Sequence, residues 1–172
     1  FPYPKPRNKE GKGHRMIRYR LDDLGWYQFE WLCQSLLKTQ FGLGVEAWGG
    51  HADLGRDAYC EGDLPISART VLTEGPFLFQ AKFVEEANAA GSAPFPALKN
   101  SVLAECSSIK LRFDSRGMER IRNYVLITNA PVTPHQRKEI AAILARVIPN
   151  CRVFIWGGAD LCAMLDESPN IR

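Results

Sequence analysis

Three short apolar runs, separated by segments long enough to form helices, constrain the fold of this chain more than any other feature. They are PFLFQAKF (76–83), NYVLITN (123–129) and CRVFIW (151–156). The second run is almost continuously apolar, which is typical of a strand that is buried on both faces of a sheet. Between the second and third runs, Thr133 followed by Pro134 is a strong signal for the start of a helix. The sequence therefore predicts strands joined by helices.

The remaining segments complete the order α-β-β-β-α-β-α-β-α. Helices are predicted at 21–42, about 98–113, 133–148 and 158–166, and two further strands at 45–49 and 56–60. Asp22 or Asp23 is expected to cap the first helix or to complement the dipole of its first turn, and Gly42 and Gly44 are expected to end the helix. Residues 84–97, which contain small residues and two prolines, are expected to form a loop. Because the early strands are close together and the later ones are helix-linked, we predict an α/β fold with a mixed central sheet flanked by helices on both faces.

Composition restricts the class of protein. A chain of 172 residues with 45% hydrophobic and 24% charged residues fits one folded domain that needs no disulfide or metal to hold it together. The five cysteines are scattered and form no C-x-x-C pair, which favours a reducing, cytoplasmic location and argues against a zinc site. No apolar run approaches the roughly 18 residues of a membrane span, so no membrane partner is predicted.

Positive charge is concentrated at the start of the chain. Residues 1–20 contain seven Lys or Arg and one acidic residue, although the net charge of the whole chain is only +3. We predict a basic, flexible arm over residues 1–20 and a folded domain over residues 21–172. Two interpretations of the arm stay open, because it would either track phosphate groups or serve as a solvated lead-in.

Two polar residues interrupt the apolar run 76–83. Gln80 and Lys82 are two positions apart, so on a strand their side chains share a face, while Ala81 points to the opposite, packing face. A buried ammonium group is costly unless it is paired. We expect Asp57, on the preceding predicted strand, to pair with Lys82, and Glu30 to project into the same cleft from the first helix.

This set of residues suits metal-dependent hydrolysis. The carboxylates of Asp57 and Glu30, the amide oxygen of Gln80 and the backbone carbonyl of Ala81 are ligands that Mg²⁺ prefers, with Mn²⁺ as a substitute. A bound cation lowers the pKa of a water molecule, and Lys82 beside it would orient that water for attack on a phosphodiester. Taken singly, the residues also have structural interpretations, since an Asp often stabilises a turn and a Lys often protects a strand edge.

Three segments carry a resemblance to a known family. FE (29–30), GGHADLGRDA (49–58) and FQAKF (79–83) resemble the nuclease core of the PD-(D/E)xK superfamily, and more narrowly its Mrr-like restriction endonuclease branch. The resemblance extends over residues 21–166. It implies a restriction-endonuclease-like αβββαβ core and a metal-dependent endonuclease that acts on double-stranded DNA.

The resemblance also implies roles for individual residues. Asp57 matches the strand aspartate that holds the metal, Gln80 and Lys82 match a Q-x-K form of the second motif, and Glu30 matches the helix acid. The Ala81 carbonyl would complete the metal shell. Gln80 departs from the glutamate that is commoner in the superfamily, but the Mrr-like branch generally shows this glutamine.

Domains that resemble this one are often fused to others in restriction or anti-phage systems, including to oligomerising STAND-type NTPases. The chain begins with Phe1 and stops after SPNIR, so we expect a nuclease domain from the N-terminal side of a longer protein. Cutting both strands with one such site requires two copies, which predicts a homo-oligomer. A module of the same fold that binds nucleic acid without cleaving it is the alternative, and a protein-interaction or small-ligand module is a third interpretation.

Overall fold

The computed structural model describes residues 19–47, 58–68, 71–114 and 118–171. Its helices are α1 (Gly25–Phe41), α2 (Pro94–Phe113), α3 (Pro134–Val147) and α4 (Gly158–Asp166). Its strands are β1 (Val45–Ala47), β2 (Ala58–Cys60), β3 (Leu64–Ala68), β4 (Val71–Thr73), β5 (Phe77–Lys82), β6 (Asn123–Thr128) and β7 (Arg152–Trp156). Short 3₁₀ turns occupy Leu21–Asp23, Gly42–Gly44 and Pro169–Ile171.

Five of these strands form one mixed sheet in the order β1-β2-β5-β6-β7. The pairs β1–β2 and β2–β5 are antiparallel, whereas β5–β6 and β6–β7 are parallel. The parallel strands are those whose connections contain α2 and α3, as expected for strands that need a crossover. The predicted α/β class and mixed sheet are therefore confirmed.

Helices cover both faces of this sheet, and each face has its own apolar core. On one face, α1 and α4 pack against Phe77 and Phe79 of β5. On the other face, α2 and α3 pack against Leu78 of β5 and Tyr124 of β6. Every residue of β6 is buried because helices lie on both of its sides. The prediction of helices on both faces is confirmed.

The ends of two helices follow the predicted signals. The Thr133 side chain accepts a hydrogen bond from the Gln136 backbone N–H at 3.2 Å, and the Gln136 side chain accepts one from the Thr133 N–H at 2.8 Å. This reciprocal pair is a capping box, and it begins α3 at Pro134. At the other end of α1, Gly42 adopts φ +82°, a conformation that glycine accepts without steric cost.

The predicted cap of the first helix is wrong. Leu24 precedes α1 and makes no side-chain cap. Asp22 instead accepts hydrogen bonds from Asn88, and Asp23 pairs with Arg20. Both aspartates lie in the 3₁₀ turn before α1. Their side chains bond to these other groups and do not cap the free N–H groups at the start of the helix.

Helix α2 begins earlier than predicted, at Pro94 rather than near Leu98. Proline is compatible with a first helical turn, because the N–H groups there have no partner within the helix. Residues 84–97 are therefore only partly a loop. The Asn129 side chain holds the start of this segment, since it accepts from the Val84 N–H at 2.7 Å and donates to the Val84 carbonyl at 2.8 Å.

The structure also contains a β-hairpin that the predicted order of elements lacks. Strands β3 and β4 form a separate two-stranded antiparallel sheet, with an irregular register between Leu64 and Ala68. Strand β3 contains Pro65, which cannot donate to a ladder, and the apolar Val71 and Leu72 of β4 are both more than half exposed. The two exposed apolar residues at the start of β4 depart from the alternation of buried and exposed residues that indicates a strand.

Several sequence features fall outside the described residues. The basic arm is described only from Tyr19 onward, and the segment 48–57 is not described. Within the described ranges, no helix combines the length and apolar character needed to cross a membrane.

Candidate active site

Strand β5 divides its side chains between the two cores, as the sequence predicts. Phe77 and Phe79 lie in the core beneath α1, and Ala81 packs against that same core. Leu78 belongs to the core beneath α2 and α3. Because alternate residues share a face, Gln80 and Lys82 point to the side of α2. Lys82 is the last residue of the strand, so the two polar residues lie at its carboxyl end.

Gln80 is buried, and both ends of its amide are hydrogen-bonded. The Tyr124 hydroxyl, from the neighbouring strand β6, donates to Gln80 Oε1. Gln80 Nε2 donates to Glu105 Oε2 at 3.3 Å. Tyr124 is 1% exposed and Gln80 is 7% exposed, so the amide is held between a buried hydroxyl and a carboxylate. These partners fix the orientation of the amide.

Lys82 pairs with the same carboxylate. Its Nζ donates to Glu105 Oε1, with the Lys82 side chain 14% exposed and the Glu105 side chain 35% exposed. Among the described residues, Glu105 is the acidic partner that the Lys82 ammonium group is expected to need. Tyr124, Gln80, Glu105 and Lys82 together form what we call the Lys82 cluster.

Glu105 is not among the residues predicted from the sequence, although the sequence contains a signal for it. Glu105 lies three residues after Val102 and four before Ile109, and both of these are buried on the inner face of α2. On a helix, residues at these spacings share a face. An acidic residue on the sheet-facing stripe of a helix needs a polar partner, and Gln80 and Lys82 are the two polar residues of β5.

Glu30 lies on α1, which covers the other face of the sheet. Its neighbour Phe29 is fully buried and contacts Phe83 with ring centroids 5.7 Å apart. Glu30 accepts a hydrogen bond from Gln34 Nε2 at 3.3 Å, and burial raises the pKa of the Glu30 carboxyl. The contacts described for Glu30 do not reach the Lys82 cluster, so its place in a shared cleft stays a prediction.

Asp57 lies outside the described residues, together with the neighbouring His51, Asp53 and Arg56. The residue after it, Ala58, begins β2 and is the register partner of Phe79 in β5. Ala81 is the register partner of Ile127 in β6, and a metal-binding role for its carbonyl stays a prediction.

The ligand types near Lys82 are those of a hard cation, but the described part of the chain does not complete a metal site. Across the described ranges, no three His, Cys, Asp or Glu side chains come together closely enough to hold a metal ion. The Lys82 cluster offers one carboxylate, that of Glu105, at a partly exposed position. Oxygen ligands of this kind suit Mg²⁺, and a site would need at least the further carboxylate predicted at Asp57.

No protein-family model matches the chain, and no curated protein or solved structure matches it either.

Proposed function

We propose that this chain is a Mg²⁺-dependent endonuclease domain of the PD-(D/E)xK type, Mrr-like in its motifs, that hydrolyses phosphodiester bonds in double-stranded DNA. The observation that carries the proposal is the pairing of Gln80 and Lys82 at the carboxyl end of β5 with a carboxylate in contact with both. Lys82 is 14% exposed, and its ion pair with Glu105 holds the ammonium group at this end of the strand. An ammonium group held in this way can position water and substrate beside a cation.

The order of elements supports the same proposal. Helix α1 is followed by β1, β2 and β5 as adjacent strands of the main sheet, then by α2 and by β6 parallel to β5. Apart from the β3–β4 hairpin inserted before β5, this is the αβββαβ order that the resemblance implies. The strand with the Q-x-K motif is the third strand of that order and lies at the middle of the sheet.

Asp57 enters the proposal as the principal metal-binding carboxylate. It is bonded to Ala58, whose register partner Phe79 directly precedes Gln80. A carboxylate from this point of the chain, the Ala81 carbonyl and the Lys82 cluster would together offer the oxygen ligands that Mg²⁺ takes. Glu30 stays in the proposal as the helix acid, and burial of its carboxyl raises the pKa of that group.

The roles of the residues follow from their chemistry. Mg²⁺, when bound, would act as a Lewis acid on the phosphate and lower the pKa of a water molecule. Lys82 orients the attacking water and stabilises the negative charge that develops on the phosphate oxygens. The water oxygen bonds to phosphorus, the bond from phosphorus to the leaving sugar oxygen breaks, and solvent accepts one proton and supplies the other.

The wider setting of the domain is also a proposal. The resemblance favours a role in restriction or anti-phage defence, in the cytoplasm, as one domain of a larger protein. A fused oligomerising NTPase would bring two copies together on one DNA duplex, which would allow both strands to be cut.

A plasmid-nicking assay with Mg²⁺ or Mn²⁺ tests the proposal. We expect Asp57→Asn and Lys82→Met to lower the cleavage rate by about 100-fold or more, since each removes a group that acts on the reacting atoms. Lys99→Met is the matched control, because Lys99 forms an ion pair with Glu139 on the surface of α2 and α3, with side chains 37% and 34% exposed. Glu30→Gln in the same assay tests the helix acid.

The outcomes separate the proposal from its alternatives. Equal cleavage by the unaltered protein, Asp57→Asn and Lys82→Met would remove the assigned site. Salt-sensitive DNA binding without cleavage would favour a module that binds nucleic acid only. Absence of salt-sensitive DNA binding would indicate a protein-interaction or small-ligand module.

A further inference from the structure

We propose that three exposed aromatic side chains on α1, those of Trp26, Tyr27 and Trp31, form a surface on which the unpaired bases of single-stranded nucleic acid stack. We call these three residues the α1 aromatic patch. The patch is separate from the Lys82 cluster, because α1 and α2 cover opposite faces of the sheet. The inference goes beyond the proposed function, since it concerns the binding of unpaired bases and requires no cleavage.

The exposure of the three rings is the first argument. Trp26, Tyr27 and Trp31 are 61%, 51% and 60% exposed, although large aromatic side chains usually contribute to apolar cores. The packing of α1 on the sheet uses the other side of the helix, where Phe29 and Cys33 are buried in the core. Much of each ring in the patch is therefore open to a ligand.

The rings also hold one another in place. The ring centroids of Trp26 and Tyr27 are 5.6 Å apart, and those of Tyr27 and Trp31 are 5.5 Å apart, with interplanar angles of 76° and 43°. Contacts between neighbouring rings restrict the rotation of each side chain, so less conformational entropy is lost when a ligand binds. The inclined ring planes suit the bases of a flexible single strand, whereas the bases of a duplex are already stacked on each other.

Positive charge on α1 supports a nucleic-acid ligand. Lys38 is exposed and follows Trp31 by seven residues, which is close to two helical turns, so it lies on the same face of the helix. Two turns extend about 10 Å along the helix axis. An ammonium group at this distance from the rings can pair with the phosphate groups of a strand whose bases stack on the patch.

The basic arm adds positive charge at the other end of the patch. Residues 1–20 contain seven Lys or Arg and one acidic residue. The arm ends six residues before Trp26, and six residues of extended chain span at most about 21 Å, so its last cations are within reach of the patch. Of the two acidic residues in between, Asp23 pairs with Arg20 at 2.9 Å, and Asp22 accepts hydrogen bonds from the loop before α2.

The size and composition of the patch argue against other occupants. At about 250 Å² for each whole aromatic side chain, the three rings expose about 430 Å², which is roughly half of what one partner buries in a stable protein interface. The other exposed residues of α1 are polar, so no apolar stripe continues along the helix as a membrane-surface helix requires. They are Gln28, Ser35, Lys38 and Thr39. Stacking of two or three bases fits a patch of this size.

Fluorescence anisotropy of a labelled oligo(dT) strand of about 15 nucleotides, titrated with the full chain, tests the inference. Trp26→Leu and Trp31→Leu keep an apolar side chain but remove the aromatic ring, and we expect each to weaken oligo(dT) binding by about 10-fold. Trp26→Phe and Trp31→Phe keep a ring and should stay within about 3-fold of the unaltered protein. Leu111→Ala is the matched control, because Leu111 is a 73% exposed apolar residue on α2, and this variant should bind oligo(dT) as the unaltered protein does.

Three comparisons sharpen the test. A duplex of the same length should lose less than about 2-fold in affinity in the two Leu variants, because its bases are not available for stacking on the patch. Oligo(U) should lose affinity in the same variants as oligo(dT), because the rings contact the bases and not the sugar. Lys38→Gln should reduce the salt dependence of oligo(dT) binding by about 0.7 in the slope of log affinity against log salt concentration.

Several outcomes would overturn the inference. Oligo(dT) binding that is absent, or unchanged in both Leu variants, would do so. Equal losses in the Leu and Phe variants would show that no aromatic ring is required, and equal losses for oligo(dT) and the duplex would indicate a general electrostatic surface. Binding to phosphatidylserine vesicles, or self-association in sedimentation, that the Leu variants abolish while oligo(dT) binding is unchanged would assign the patch to a membrane or to a second copy of the chain.

The same variants separate this inference from the proposed function. Patch-dependent binding of oligo(dT) by a protein that cuts no DNA would overturn the nuclease proposal and leave the inference standing. Plasmid cleavage that is lost in Lys82→Met, together with oligo(dT) binding that is unchanged in Trp26→Leu and Trp31→Leu, would overturn the inference and leave the nuclease proposal standing.

Discussion

The side chain of Asn129 joins the end of β6 to the segment that leaves β5, and its removal should destabilise the fold strongly. Asn129 is fully buried, and its amide makes two hydrogen bonds with the Val84 backbone, at 2.7 and 2.8 Å. Asn129→Ala leaves the Val84 N–H and carbonyl without these partners, and Val84 is only 6% exposed. At about 1–3 kcal/mol for each buried group left unpaired, we expect the free energy of unfolding to fall by about 2–6 kcal/mol.

Urea denaturation measures this loss, and hydrogen exchange of the Val84 amide reports it locally. In the unaltered protein this amide should be protected, and in Asn129→Ala it should exchange faster. Asn88→Ala is the matched control, because the Asn88 side chain makes an exposed hydrogen bond with Asp22 at 3.2 Å and should contribute less than about 1 kcal/mol. A loss of less than about 0.5 kcal/mol in Asn129→Ala, which is the usual scatter of surface substitutions, would refute the reasoning if Val84 also stayed protected.

Three further predictions concern packing and ionisation. Gly75→Ala should lower the free energy of unfolding, measured by urea denaturation, by about 1–3 kcal/mol, because an added Cβ would lie 2.3 Å from the Glu61 carbonyl oxygen. Gly62→Ala is the control, because a Cβ added there has no atom within 4 Å, and it should change the stability little. Glu30→Gln should raise stability at pH 7, because burial raises the pKa of the Glu30 carboxyl and so penalises its charged form. Burial raises the pKa of the Cys151 thiol to about 11, so iodoacetamide at about pH 8 should label it far more slowly in the folded protein than in urea, as followed by mass spectrometry.

The sign of the Glu30 prediction follows from proton binding. A carboxyl with a raised pKa in the folded state binds protons more readily there than in the unfolded chain, so the unaltered protein gains stability as the pH falls from above that raised pKa toward the ordinary value of 4.5. The advantage of Glu30→Gln should therefore shrink over this range. An advantage of Glu30→Gln that is the same at every pH would contradict the Glu30 prediction. Equal destabilisation by Gly75→Ala and Gly62→Ala would contradict the packing prediction. Equal labelling of Cys151 in the folded and the unfolded protein would contradict the thiol prediction.

Local signals predicted the later half of the fold well. The helix predicted at 158–166 is α4 (Gly158–Asp166), and the Thr133–Pro134 start of α3 is present with its capping box. These features depend on residues close together in the chain, such as a cap and the helix that it begins. The strand 123–129 was recognisable because burial on both faces requires an apolar residue at almost every position.

The features that the sequence did not predict depend on contacts between distant segments. Strand β4 places Val71 and Leu72 in exposed positions, so its hydrophobicity does not report its burial. Asp22 accepts a hydrogen bond from Asn88, 66 residues away, and does not cap the helix that follows it.

The candidate site shows the same division. The shared face of Gln80 and Lys82 follows from strand alternation and was predictable. Their partner was not, because Glu105 reaches Lys82 across 23 residues through the packing of α2 on the sheet. The orientation of the Gln80 amide depends on Tyr124, 44 residues further along the chain, and no local sequence pattern predicts that contact.

The central claim is that the carboxyl end of β5 binds a divalent cation for hydrolysis. The most direct measurement is anomalous scattering from a crystal of the protein soaked in Mn²⁺. The account predicts a Mn²⁺ peak at about 2.0–2.6 Å from a carboxylate oxygen of Asp57, next to the Lys82 ammonium. A crystal with no peak at this place, in which the Asp57 carboxylate turns away from Lys82 with apolar side chains between them, would contradict the account.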